Sequence, residues 1–301
     1  MRILITGATG LVGSSLVARC RQEGIEVHYL STRPDQLKSE AGYRGFLWNP
    51  AAGKIDPECF RGVQMIVNLA GSPISQPWTA SRKKKIRSSR VDSLYCLQKA
   101  LKSLDGHQVE YLVSASAIGL YPSSLTEFYN EAASAGTGFL SETVVQWEMA
   151  LGAFRDLGIP CGMLRIGLVL AREGGALPAL ARPVRWGLGA PLGSGQQWQS
   201  WIHREDLVSV FRFAMEHRLE GPYNAVAPNP VTHRKLICEV ARVLGKPLWL
   251  PRVPSWALKL LMGDRSRLLL DSQRVSSEKV QMEGFAFSFP NLRPALENLL
   301  L

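Results

Sequence analysis

Hydrophobic positions fall along the chain in two alternating patterns. Residues 2–6 (RILIT) are a short apolar, β-branched run; after Gly7, Gly10 and Gly13 comes an amphipathic segment, SSLVARCRQEG, that stops at Gly24. This reads as strand, glycine turn, helix. Further apolar runs at 27–30 (VHYL), 44–48 (RGFLW), 65–70 (MIVNLA), 109–116 (VEYLVSAS) and 160–170 (PCGMLRIGLVL) predict five more strands. Most are continuous instead of alternating with polar residues, the pattern of strands covered by helices on both faces. Helical spacing fills the gaps, with Ile86, Val91, Leu94, Leu97, Ala100 and Leu101 on one stripe and Phe139, Val144, Trp147, Ala150, Leu151 and Phe154 on another. Strand and helix alternating up to residue 170 predict an α/β, Rossmann-like doubly wound parallel sheet with right-handed crossovers.

Beyond residue 170 the texture changes. EGGALPALARPVRWGLGAPLGSG is rich in Gly and Pro, a helix is expected from about Asp206, a strand over 221–228, and another helix over 231–244. The predicted organisation is a nucleotide domain over 1–170, to which segments near 197–228 return, and a smaller irregular C-terminal lobe over 171–301 packed on the carboxyl edge of the sheet. With 301 residues, 46% of them hydrophobic, the chain can bury a large core. Five cysteines, far apart and with no C-x-x-C, indicate neither a disulfide framework nor a metal cluster. No stretch nears the roughly 18–20 apolar residues of a membrane span, and MRILITG runs straight into a strand, so a cytoplasmic location is the default expectation.

The glycines are the first candidate chemistry. Gly7, Gly10 and Gly13, with Thr9, Leu11 and Val12 between them, join the first strand to the first helix with G-x-x-G-x-x-G spacing. One glycine permits the tight turn, the next lets backbone N–H groups approach a pyrophosphate, and the third permits close helix–strand packing. Cofactor choice is read at the end of the second strand. Ser31, Thr32 and Arg33 stand there with no acid to meet a ribose 2′-hydroxyl, and a guanidinium with two hydroxyls suits a 2′-phosphate, so NADP(H) is the expected cofactor. A solvated Arg33 ahead of a helix starting at Pro34 is the plainer alternative.

TGATGLVG, NLAG at 68–71, SAS at 114–116 and GSGQQWQSWIHREDL at 193–207 together resemble the extended short-chain dehydrogenase/reductase superfamily. RKKKIRSSRV, FLSETVVQWE, RWGLGAPLGSGQQWQSWIH and the closing GFAFSFP are similar to its atypical "epimerase family" branch, sometimes labelled cell-division inhibitors, which carries a C-terminal domain of unknown function, here at about 248–298. The resemblance implies cofactor contacts on the backbone from Thr9 to Val12, on Ser31 to Arg33, near Trp48 and Asn49 for the adenine, at Leu69, Ala70 and Gly71 for the ribose, and at Val169 for the nicotinamide amide. Trp48 as a core aromatic is the alternative.

The superfamily's Tyr-x-x-x-Lys pair is not matched. With Glu148 aligned to the acid that follows that lysine, Leu140 falls at the tyrosine, Val144 at the lysine, Arg90 at the asparagine, and only the serine remains, as Ser116. In nucleotide-sugar relatives a G-x-G-x-Q-x-R segment aims its Arg at a diphosphate; Gly193, Gly195 and Gln197 match it, but the Arg is Gln199. The polar groups expected nearest the nicotinamide are Ser116 and Tyr121, with His203 farther out and read as a structural hydrogen-bonder.

Lys+Arg total 35 against 25 Asp+Glu, an excess of ten positive charges. Half of that excess sits on Arg82, Lys83, Lys84, Lys85 and Arg87. A solvated helix face is one reading and a nucleic-acid patch another, but no interleaved aromatics accompany the run. A third has Lys85 and Arg90 turned inward to cofactor phosphates. Two functions stay open: an NADP(H)-dependent oxidoreductase or epimerase-like enzyme acting on an unknown small molecule through Ser116 and Tyr121, and a catalytically silent, NADP(H)-sensing regulator or scaffold. A homodimer is compatible with this fold.

Overall fold

The computed structural model describes residues 1–301. The principal strands are β1 (Arg2–Thr6), β2 (Glu26–Ser31), β3 (Tyr43–Asn49), β4 (Met65–Asn68), β5 (Tyr111–Ala117) and β6 (Cys161–Ile166), then a separate parallel pair, β7 (Leu168–Leu170) with β8 (Trp201–His203), and finally β9 (Gly221–Ala225). The main sheet runs β9-β6-β5-β4-β1-β2-β3 with all these neighbours parallel; Ser39–Glu40 and Lys54–Ile55 add short antiparallel edges to β3. Ile3 pairs with Val27 on one side and Met65 on the other, so the strand order reverses at β1. In such sheets a crevice opens at the carboxyl ends of the strands beside that reversal.

The helices are α1 (Leu11–Gln22), α2 (Ala80–Lys102), α3 (Phe139–Gly152), α4 (Leu177–Arg185), α5 (Arg204–His217), α6 (His233–Val243), α7 (Ser255–Met262), α8 (Arg267–Leu270), α9 (Glu278–Met282) and α10 (Leu292–Leu300). α2 packs against α3 and α1 against α5, so the sheet's Ile, Leu and Val side chains are covered on both sides, as their continuous apolar runs require. A second core forms where α4, α6 and α10 close around Trp201 and Leu170. None of the helices is long and apolar enough to cross a membrane.

Two local expectations are corrected. Pro34 begins only a three-residue 3₁₀ turn, so β2 is joined to β3 without a crossover helix. The apolar run 160–170 is two strands, not one. Gly167 N–H bonds to Ala225 O, Leu168 N–H turns to Ser200 O, and a Cβ on Gly167 would lie 2.3 Å from Ser200 O and 2.7 Å from Val226 Cγ1. Only a glycine lets the chain leave the main sheet at that point. The closing GFAFSFP clamps the lobe to the sheet: Asp206 at the start of α5 accepts the Ser288 and Phe289 N–H groups at 2.8 and 2.9 Å, and Phe289 stacks on His203.

Candidate functional site

A cleft of about 550 Å³ opens at the carboxyl ends of β1, β4, β5 and β6. Its near end is the glycine turn. Gly7 has φ +67°, and a Cβ there would stand 2.6 Å from Leu69 O; one on Gly13 would stand 2.2 Å from Gly7 O. α1 therefore begins pressed against the strand ends. Gly10 supplies no side-chain cap, the first turn holds no acid, and the N–H groups of Leu11, Val12 and Gly13 have no backbone acceptor. Three unpaired donors and the positive end of a helix dipole thus face the cleft.

A row of polar side chains braces the strand ends. Thr6 Oγ1 donates to Asn68 Oδ1 (2.7 Å) and accepts the Leu69 and Ala70 N–H groups (3.0 Å each), while Asn68 Nδ2 donates to Ser114 Oγ (3.0 Å). These contacts hold Leu69, Ala70 and Gly71 as the cleft floor. Thr6, Asn68 and Ser114 are the polar exceptions at or near the ends of otherwise apolar strands.

Above that floor lies Arg90. Its Nη1 donates to Ile86 O (2.9 Å) and Ser72 O (3.2 Å), and its guanidinium lies over the Trp147 ring at 5.1 Å, without a carboxylate partner. Burial, with the like charge of Arg82 second, lowers its pKa to about 10, so it stays protonated at neutral pH. Its neighbours on α2 face elsewhere. Lys83 pairs with Asp264 (2.5 Å) and Arg87 with Glu142 (3.3 Å), whereas Lys85 is exposed and does not line the cleft, correcting its inward assignment.

At the middle of the cleft Ser116 Oγ donates to Glu148 Oε1 (2.6 Å). Glu148 in turn receives Arg165 Nε and Nη2, both at 2.9 Å, from β6. The expected partnership of Ser116 with Tyr121 is not formed at the cleft. Tyr121 is 2% exposed; its hydroxyl donates to Asn224 Oδ1 (2.7 Å) and accepts from Arg165 Nη1 (3.0 Å), and the 3₁₀ turn Ile118–Leu120 carries it beneath the cleft wall. Burial raises its pKa, so the phenol keeps its proton. Leu140, Thr143, Val144 and Trp147 of α3 complete this wall, and no Tyr, Lys or His side chain lines the cleft.

Seven other expected residues lie outside the lining. Trp48 is packed in the main core, which is its plainer alternative, and Asn49 caps the turn at Ala52. Val169 packs inward on β7, because the break at Gly167 leaves Ile166, Gly167 and Leu168 as the wall. Ser31, Thr32 and Arg33 follow β2 beyond the cleft's rim; the Ser31 hydroxyl accepts Arg33 N–H at 3.1 Å, and Thr32 and Arg33 are exposed, as is Thr9 on the glycine turn.

The far half of the cleft comes from later segments: Trp198, Gln199, Ser200, Arg267, Leu268, Asp271 and Gln273. Arg267 Nε donates to Asp271 Oδ2 at 3.3 Å, and burial raises the Asp271 pKa against the opposing pull of Arg267. His203 takes no part here. Its Nδ1 accepts Glu205 N–H as the cap of α5 and its Nε2 meets Asn298 Oδ1 at 3.2 Å. No cluster of His, Cys, Asp or Glu is placed to hold a metal ion.

Residues 3–226 match the model of the NAD dependent epimerase/dehydratase family, and residues 253–299 match a domain of unknown function, DUF1731. The epimerase family protein SAR0825 of Staphylococcus aureus is 36% identical over 301 residues, covering 99% of this chain and 98% of its own length. The crystal structure of human epimerase family protein SDR39U1 with NADPH is 30% identical, with a TM-score of 0.86 over 99% of both chains. Thermus thermophilus UDP-glucose 4-epimerase with NAD, at 20% identity, has a TM-score of 0.75 over 99% of both chains, a likeness of fold alone.

Proposed function

This chain belongs to the NAD-dependent epimerase/dehydratase family, and from that premise we propose that its cleft binds a nicotinamide dinucleotide, NADP(H) in preference to NAD(H), and acts on a small molecule without a Tyr-Lys pair. The observation that carries the reading is Arg90: a partly buried, protonated guanidinium with no carboxylate beside it, across a glycine floor from three unpaired N–H groups. A buried cation without a counter-ion is costly unless a ligand supplies one. A pyrophosphate does so, and Gly7 and Gly13, where any Cβ would collide with backbone, let α1 start close against the strand ends with its free N–H groups at the cleft. The residues present therefore fit a dinucleotide. The NADPH in the human relative's crystal structure supports the choice, as does the acid-free end of β2, where Arg33 is exposed and free of any ion pair.

When bound, the dinucleotide supplies a hydride donor or acceptor. The chain's own residues do the rest. Leu11, Val12, Gly13 and Arg90 hold the phosphates; Leu140, Val144 and Trp147 exclude water from the middle of the cleft; Ser116 Oγ, whose hydroxyl donates to Glu148 Oε1, exchanges a proton with the substrate by passing its own to that carboxylate as it takes the substrate's. One observation favours a second reading, a dinucleotide-responsive regulator without turnover: the cleft wall offers no ionisable Tyr, Lys or His. NADPH oxidation against a panel of carbonyl compounds separates the two, since a regulator binds without oxidising.

Nicotinamide fluorescence titrations with NADPH and NADH test the cofactor reading. Micromolar or tighter NADPH binding is expected, with NADH about tenfold weaker and the difference erased in Arg33→Ala. Equal affinities in the wild type, or no binding of either, contradict it.

A further inference from the structure

The far half of the cleft contains an unusual amide. Gln199 is 9% exposed and lines the cleft, yet its side chain makes no hydrogen bond within the protein. Its backbone is firmly placed, paired with Val231 in an antiparallel bridge and with Gln273 in a parallel one. Bridge partners project to the same side of their strands, and Gln273 also lines the cleft. Gln273 Nε2 is committed to Tyr121 O at 2.7 Å, which leaves its carbonyl oxygen free. Three polar groups from two neutral amides thus face the cleft with no protein partner. The free amide atoms of Gln199 and Gln273 are reachable from the cleft, so a ligand that enters it can take the place of water on them.

Charge decides what sort of ligand. Of the residues lining the cleft only Arg90, Arg267 and Asp271 are charged; Arg90 belongs to the near end, and Arg267 is tied to Asp271. The far half is therefore close to electrically neutral. Two phosphate charges placed there would meet the Asp271 carboxyl and find no unpaired cation. Trp198 and Leu268, with Ile118 and Leu140 opposite, make the remaining wall mostly apolar.

We propose that Gln199, with Gln273 beside it, determines specificity in this half of the cleft, and that it recognises an uncharged, mainly apolar molecule carrying a carbonyl next to a hydroxyl, not a nucleoside-diphosphate sugar. A primary amide presents a donor and an acceptor side by side, the complement of a hydroxy-carbonyl. This rests on the cofactor reading for the near end of the cleft, and it adds the substrate class.

Benzoin, an uncharged hydroxy-ketone on an apolar frame, is the probe, titrated calorimetrically into the NADPH-loaded protein. Benzoin is expected to bind, to bind at least about tenfold more weakly to Gln199→Met and to Gln199→Glu, and to resist displacement by millimolar UDP-glucose. NADPH affinity, measured on the same samples, is expected to stay within about twofold in both variants, which reports an intact fold. Absence of benzoin binding, equal binding to the variants, or displacement by UDP-glucose overturns the proposal. Loss of NADPH binding in the wild type instead overturns the cofactor reading, so the two failures are distinguishable.

Discussion

Single residues at the near end of the cleft are held to tolerances of tenths of an ångström. A Cβ on Gly13 meets Gly7 O at 2.2 Å and Ala8 Cα at 2.8 Å, all backbone, whereas one on Gly10 meets only Gly7 O, at 3.2 Å. Gly13→Ala is expected to cost about 2 kcal/mol and lower the melting temperature by several degrees, with Gly10→Ala well under half of that; equal melting temperatures in a thermal-unfolding comparison would refute this packing. The glycines were legible in the sequence because the motif is local, a strand, a turn and a helix. Arg90 was legible through helical phase: Ile86, Arg90 and Leu94 follow one another at i+4, and the first and last are buried, so the residue between them turns inward. Lys85 is off that stripe. Tyr121 was not legible, because its direction depends on a 3₁₀ turn whose residues, Ile118, Gly119 and Leu120, read equally well as a strand's continuation.

At the scale of elements, β5, α3 and β6 are locked by one ion pair. Arg165 and Glu148 have side chains 8% and 14% exposed, and Ser116, Tyr121 and Glu131 O all bond to one or the other. Removing one partner leaves the other charged and buried, so Arg165→Met is expected to destabilise the protein by about 3–5 kcal/mol, and adding Glu148→Leu to recover most of that loss. Denaturant unfolding of both variants checks it; a double variant no more stable than Arg165→Met would show that the pair is not the source. Alternating apolar periods revealed the strands and helices of the first half because each element there is long and fully covered. The division of residues 160–170 was hidden, since Gly167 interrupts no apolar run and its role depends on Ser200 and Val226, distant in sequence. Sequence spacing also gave no hint that Gln199 and Gln273 stand side by side.

Across the whole molecule, acid sensitivity follows from buried histidines. His233 is 2% exposed with Nε2 unpaired, and burial lowers its pKa from 6.5 to about 4; burial also lowers those of His203 and His28. The unfolded chain takes up these protons below about pH 6.5 and the folded one resists, so stability present at pH 7 is lost as pH falls toward 4. His233 alone accounts for about 3 kcal/mol of that loss, and His233→Gln is expected to flatten the melting-temperature profile between pH 7 and 5; an unchanged profile would refute the assignment. The ten excess positive charges find a role in one place, Arg90, while Lys83 and Arg87 serve to tie α2 to the C-terminal lobe and to α3. On this account the partly buried Arg90, with no carboxylate partner, receives a dinucleotide phosphate. Isothermal titration of NADPH into the wild-type protein and Arg90→Met tests it most directly: the wild type is expected to bind and the variant to bind at least about tenfold more weakly with its fold intact, whereas no wild-type binding, or equal binding by a folded variant, would contradict it.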